Sequence, residues 1–196
     1  IAPYKFFGCR GSGVAWLSER CAKLPHNRIL CYPEDWWELG SVAPHQFAGY
    51  TAIVDYVCWI GSKFIESTDR RKLFVEGITC IELHERALLY RALEGTEAVP
   101  GLRRIPGVKV QCDNPDLTKR DFILPITFDN IDPIRGAEEL CKRGIYVYER
   151  VAPNHYSKRI VESLGLDGVI RVSPIHCNAT WEVDEFLKAA AEVAKL

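Results

Sequence analysis

Between residues 46 and 64 the apolar side chains Phe47, Tyr50, Ile53, Val54, Val57 and Ile60 recur at steps that keep them on one helical face, and Gly61 stands near the end of the run. That spacing predicts an amphipathic helix from Gln46 to about Phe64. The period returns at Phe74, Ile78, Ile81, Leu88 and Ala92, so a longer helix is expected from about Arg71 to Leu93. Beyond the loop EGTEAVPGLRRIPG the pattern changes to short apolar runs, which predict strands at 108–112, 122–128, 145–149 and 168–173. Helices are expected in the gaps. Asp132 can cap one that begins at Pro133 and stops at Gly144, and another ends at Gly165. A last helix is expected from Thr180, with Glu182, Asp184 and Glu185 in its positive first turn and Val183, Phe186, Leu187, Ala190 and Ala194 on one face.

The segment ahead of the first helix reads differently. GVAWLSER, residues 13–20, predicts a strand leaving a glycine turn, and LPHNRILCYPEDWWELG an irregular connection rich in proline and aromatics. One strand and a long connection cannot bury both their faces. Residues 1–64 are therefore expected to form the end of a larger domain and an interdomain helix, with residues 65–196 as a small α+β domain.

Composition narrows the function classes. At 196 residues and 47% apolar content the chain can bury a substantial core. Its 25 basic and 26 acidic side chains form no long run of either sign, which leaves no footprint for nucleic acid or an anionic membrane. Eight cysteines make no C-x-x-C pair and none has the histidine spacing of a zinc site, so reduced thiols, no metal and a cytoplasmic setting are expected.

Two side chains are candidates for chemistry. Lys5, set between Tyr4, Phe6 and Phe7 ahead of the glycine turn, is a potential nucleophile if desolvated; otherwise it reaches past the aromatics to water. Arg171, within the apolar strand of GVIRVSPIHCNATWEVDEF, calls for an anion, from a ligand or from the protein itself.

Three stretches in order carry a family resemblance. APYKFFGCRGSG resembles the Ser-x-x-Lys-x-x-Gly-Pro-x-Gly-x-Gly turn of the class V aminotransferase superfamily, the pyridoxal-phosphate enzymes of fold type I that include cysteine desulfurases, selenocysteine lyases and isopenicillin N epimerase. WELGSVAPHQFAGYTAIVDYV resembles the family's Glu-x-Gly-Thr segment leading into a long helix, and GVIRVSPIHCNATWEVDEFLKA its closing Arg-x-Ser signature. Cys9 stands where the family has proline, and Ser41 where it has threonine.

The resemblance implies an α/β fold, the C-terminal portion of a fold-type I enzyme, and pyridoxal 5'-phosphate as cofactor. By it, Lys5 would form the internal aldimine and move the substrate's Cα proton, and Arg171 would hold the α-carboxylate of an amino-acid substrate. Gly40 and Ser41 would reach the cofactor phosphate of a neighbouring subunit. His155, Tyr156 and His176 would shape the substrate side; the structural alternatives are that His176 supports only its local turn and that Tyr156 covers the core. In the family the remaining cofactor ligands lie upstream of the lysine, where this chain has four residues. A homodimer, or a complex with a chain carrying the N-terminal half, is therefore expected; the alternative is a non-catalytic fragment or interaction subunit. GIYVYERVAPNHYSKR holds no cysteine, and Cys177 lies six residues past Arg171, so a lyase, epimerase or transaminase is favoured over a desulfurase.

Overall fold

A computed structural model describes residues 1–41 and 43–196, and the chain divides into two compact units, Ile1–Cys80 and Ile81–Leu196. In the first unit a 3-10 turn at Pro3–Phe6 is followed by a short helix α1, Glu19–Ala22, and the long α2, Pro44–Gly61. Pro44 occupies the first turn of α2, where its missing N–H costs nothing and its fixed φ suits the helix. Helix α3, Arg70–Glu94, begins in this unit. Asp69 caps it, its Oδ1 accepting the N–H of Arg71 at 2.8 Å and of Lys72 at 3.3 Å.

Where α2 meets the start of α3, two glycines let the backbones touch. A Cβ at Gly61 would overlap the carbonyl oxygen of Leu73, and one at Gly77 would overlap that of Val57. Any side chain at either position would push the helices apart. Val57 is fully buried there, while Phe47 on the same predicted stripe is 53% exposed.

The strand expected at 13–20 does not form. Among the described residues of this unit no strand pairs, and an extended segment without a ladder partner leaves its N–H and C=O groups to water or local turns. Ser18 instead caps α1, its Oγ accepting the N–H of Cys21 at 3.3 Å. The connection that follows is organised by His26, whose ring stacks on Trp37 at 3.9 Å while its two nitrogens face the carbonyl oxygens of Leu24 and Trp36.

The second unit is a four-stranded antiparallel sheet backed by helices. Its strands are β1 Val108–Val110, β2 Leu124–Phe128, β3 Tyr148–Val151 and β4 Gly168–Val172, in the order β1-β2-β4-β3. Each pair is antiparallel, with Val110 opposite Ile126, Ile126 opposite Ile170 and Glu149 opposite Ile170. The helices are the remainder of α3, α4 Pro133–Lys142, α5 Lys158–Ser163 and α6 Thr180–Val193. Strand β3 starts three residues later than the sequence predicts, and residues 145–147 stay unpaired. The predicted cap holds: Asp132 Oδ1 accepts the N–H groups of Ile134 at 3.0 Å and Arg135 at 3.1 Å.

Alternation in β2 sends Leu124, Ile126 and Phe128 into a core shared with Leu88 and Leu93 of α3 and Leu187 of α6. Each of these side chains contributes about 1.5–3 kcal/mol by leaving water. Helix α4 lies on the same face, with Gly136 against Ile170 and Phe128. Arg91 of α3 and Asp184 of α6 form a bidentate pair, with both N–O distances 2.7 Å. Among the described residues no helix is long and apolar enough to cross a membrane.

Candidate functional site

The lysine turn rests on one face of α2. Gln46 Nε2 donates to the carbonyl of Arg10 at 3.5 Å, the Tyr50 hydroxyl meets that of Ser12, and Ile53 lies under Gly8. Residues 46, 50 and 53 are one helical stripe, so the period that predicts α2 also supplies the platform for the turn. Phe7 takes a left-handed φ of 63° and packs edge-on against Tyr56 at 6.0 Å. Ile1 and Val14 exchange backbone hydrogen bonds of 2.6 and 3.0 Å across the turn.

Lys5 is exposed, its Nζ 5.8 Å from the centre of the Tyr4 ring, and Arg10 approaches the same ring at 5.7 Å. Tyr4, Arg10, Gly11, Ser12 and Gly13 line an open basin beside it. An amine, a guanidinium and a hydroxyl beside glycine backbone fit the phosphate and carbonyl ends of a pyridoxal-type group. No carboxylate lines the basin to face a ring nitrogen. Gly40 and Ser41 lie exposed in the irregular connection, and a Cβ at Gly40 would meet nothing within 4 Å.

Arg171 belongs to the second unit. On β4 it is the one residue outside the buried pattern, and it stands between Pro125 of β2 and Tyr148 of β3 on the sheet face away from α3, α4 and α6. The sequence alone left open whether its anion comes from the protein. Arg171 is half-buried and forms no ion pair with any described carboxylate. Tyr148 and Arg150 share this face, a neighbourhood that only the strand register reveals, because they lie over twenty residues away in sequence.

The other sequence-predicted residues fall at the two ends of this sheet. His155 and Tyr156 follow β3 beyond the Val151–Gly168 pair, both exposed and in edge-to-face contact at 5.8 Å. The pair Tyr148–Arg171 is three residues back along the strand, about 10 Å. His176 lies past the opposite end of β4. Its N–H donates to Glu85 Oε1 of α3 at 2.9 Å, and its Nδ1 is 3.7 Å from the same oxygen. Burial holds the His176 imidazole below its ordinary pKa; His84 adds to this, and the Glu85 carboxylate opposes it. Neighbouring bonds brace the same loop: His84 Nε2 to Asn178 O at 3.3 Å, Ile175 N–H to Asn178 Oδ1 at 2.9 Å, and Ala179 N–H to Glu182 Oε2 at 2.7 Å. Glu85 gave no sequence signal, being one charged residue among several on a long helix.

A cleft of about 300 Å3 opens where β3 and β4 stop pairing, walled by Tyr146, Val147, Ser173, Pro174, Asn178 and Glu182. Among the described residues Cys9, Cys31, Cys112, Cys141 and Cys177 are exposed and Cys58 is buried.

No protein-family model matches the chain, and no curated protein sequence matches it significantly. Solved structures do. The apo structure of a cysteine desulfurase from Thermococcus onnurineus NA1 aligns with a TM-score of 0.61 at 22% identity, over 96% of this chain and 39% of that one. The cysteine desulfurase CsdA from Escherichia coli, in an S-sulfonic acid form, aligns with a TM-score of 0.56 at 18% identity, over 81% of this chain and 32% of that one. The chain thus spans about a third of the length of these structures. Its fold is that of the C-terminal portion of the cysteine desulfurases, the α/β fold that the three sequence motifs imply.

Proposed function

We propose that this chain is the C-terminal portion of a pyridoxal-phosphate-dependent enzyme of the class V aminotransferase type that acts on an amino acid. The observation that carries the reading is Arg171: a half-buried guanidinium with no described carboxylate beside it, on a sheet whose fold is shared with cysteine desulfurases. A substrate α-carboxylate supplies the missing anion in a bidentate pair. Lys5 is the residue to hold the cofactor and to move the proton at the substrate's Cα, and its turn is braced for that by Gln46, Tyr50 and Ile53. When bound, the cofactor supplies the electron sink that makes a Cα proton removable.

Gly40 and Ser41 are proposed to contact the cofactor phosphate of a neighbouring subunit, in a homodimer or in a complex with a chain that carries the N-terminal half. Exposed apolar residues in the first unit, including Trp16 at 85% and Leu30 at 90%, support such a partner. His155, Tyr156 and His176 are assigned to the substrate side, His176 by holding the loop after Arg171 rather than by contact. The reaction proposed is a lyase, epimerase or transaminase step. Eight cysteines without a C-x-x-C pair suit a cytoplasmic setting.

Borohydride reduction with added pyridoxal phosphate, followed by peptide mapping, tests the assignment. A visible absorbance band and a reduced adduct on Lys5 support it. Reduction that labels no lysine, with the partner half restored, sinks it in favour of a non-catalytic interaction subunit, a reading that the exposed Lys5 and the partial coverage of the desulfurases keep in play.

A further inference from the structure

Six arginines are half-buried among the described residues, and four of them have a carboxylate partner. Arg86 pairs with Glu82, Arg91 with Asp184 at 2.7 Å, Arg120 with Asp113 at 3.0 Å and Arg143 with Glu139 at 2.9 Å. The two without one are Arg171 and Arg150, and they are neighbours. Tyr148 lies directly opposite Arg171 in the β3–β4 register, so Arg150, two residues on, stands diagonally across from Arg171 on the same sheet face. Side chains in that relation are about 7–8 Å apart at their bases, within reach of each other for long side chains.

Among the described residues no carboxylate on this face pairs with either arginine. Glu149 alternates to the core side of the sheet, opposite Ile170. Lys109, a further cation on this face, has its own partner in Asp129 at 2.8 Å. Arg150 is held by the carbonyl of Glu149 at 3.0 Å and by the Tyr148 ring at 6.0 Å, contacts that orient the guanidinium without cancelling its charge. Two like charges set diagonally on a half-buried surface disfavour each other unless anions lie between them.

From this we infer that the Arg150–Arg171 face recognises a ligand with two anionic groups, a dicarboxylic amino acid, with the α-carboxylate on Arg171 and the side-chain carboxylate on Arg150. The inference rests on the proposed role of Arg171 and adds the substrate class. Both guanidinium forks match carboxylate geometry, and a ligand of four or five carbons separates its carboxylates by a span that the two flexible side chains bracket.

The test is calorimetric titration of the full chain with L-glutamate and L-norvaline, five-carbon amino acids that differ in the second carboxylate. Glutamate is expected to bind at least about 10-fold more tightly, the difference one charge-assisted contact makes. Arg150→Gln is expected to bring the glutamate-to-norvaline ratio towards one, and Arg150→Lys to restore part of it. Circular dichroism of each variant separates a lost contact from a lost fold. Equal affinities in the unaltered chain, no saturable glutamate binding, or a ratio that survives Arg150→Gln would each overturn the inference. The role of Arg171 is judged separately: if Arg171→Gln leaves norvaline binding unchanged, that reading fails whatever the ratio shows.

Discussion

Arg171 and Arg91 show how the same side chain serves two ends. Arg91 meets Asp184 in a fork-to-fork pair between α3 and α6, with side chains 30% and 20% exposed. Arg91→Ala leaves the Asp184 carboxylate without its donors, and is expected to lower stability by about 1–2 kcal/mol after allowance for solvent screening, read as a shift of the urea midpoint. Arg171→Gln removes no hydrogen bond or ion pair with a described residue, so it should leave that midpoint within about 0.5 kcal/mol of the unaltered chain while weakening carboxylate binding. A large loss of stability in Arg171→Gln would show a structural role instead. The sequence picked out Arg171 because a lone cation in an apolar strand stands out. Arg91 escaped notice because charged residues on helices are commonplace and its partner is 93 residues away.

At the level of elements, the close approach of α2 and α3 depends on Gly61 and Gly77. Gly77→Ala is expected to cost about 1–3 kcal/mol by forcing the helices apart, although alanine is the better helix former in an isolated peptide. A thermal melt unchanged by Gly77→Ala would mean that the crossing is looser than described. The cap of α4 makes a smaller, local prediction: Asp132→Ala should lower the urea midpoint by the equivalent of about 1 kcal/mol, and Asp132→Asn by less. The helices were legible because periodicity and capping are local signals. The strand expected at 13–20 does not form because β structure needs a partner, and a short apolar run after a glycine turn does not supply one. For the same reason β3 begins at Tyr148 rather than 145: pairing with Arg171 sets its start.

Across the whole molecule, titration couples to folding in two stages. Burial keeps the His176 imidazole below its usual 6.5, so the unfolded chain takes up that proton first, and stability should begin to fall as pH drops below about 6.5. The hydrogen bond from Arg91 holds the Asp184 carboxyl below 3.8, and that from Arg103 does the same for Asp113. Their contribution is present above about 3.8 and is lost as pH falls through the lower folded values. Urea midpoints measured at about pH 7.5, 5.5 and 3.5 should therefore decline, most steeply at the acid end. His176→Gln should flatten the upper stage and spare the lower. A midpoint that rises between about pH 7.5 and 5.5 would contradict the buried, neutral histidine.

What the sequence determined by itself is most of the local elements and the two side chains that stand out, Lys5 in its turn ahead of α2 and Arg171 in an apolar strand, because periodicity, capping and isolated charge are written within a few neighbouring residues. Only the tertiary structure decided which cations have partners. Whether an arginine is neutralised depends on residues brought beside it by strand register and helix packing, and in this chain that separates Arg91, paired across 93 residues, from Arg150 and Arg171, left facing outward together.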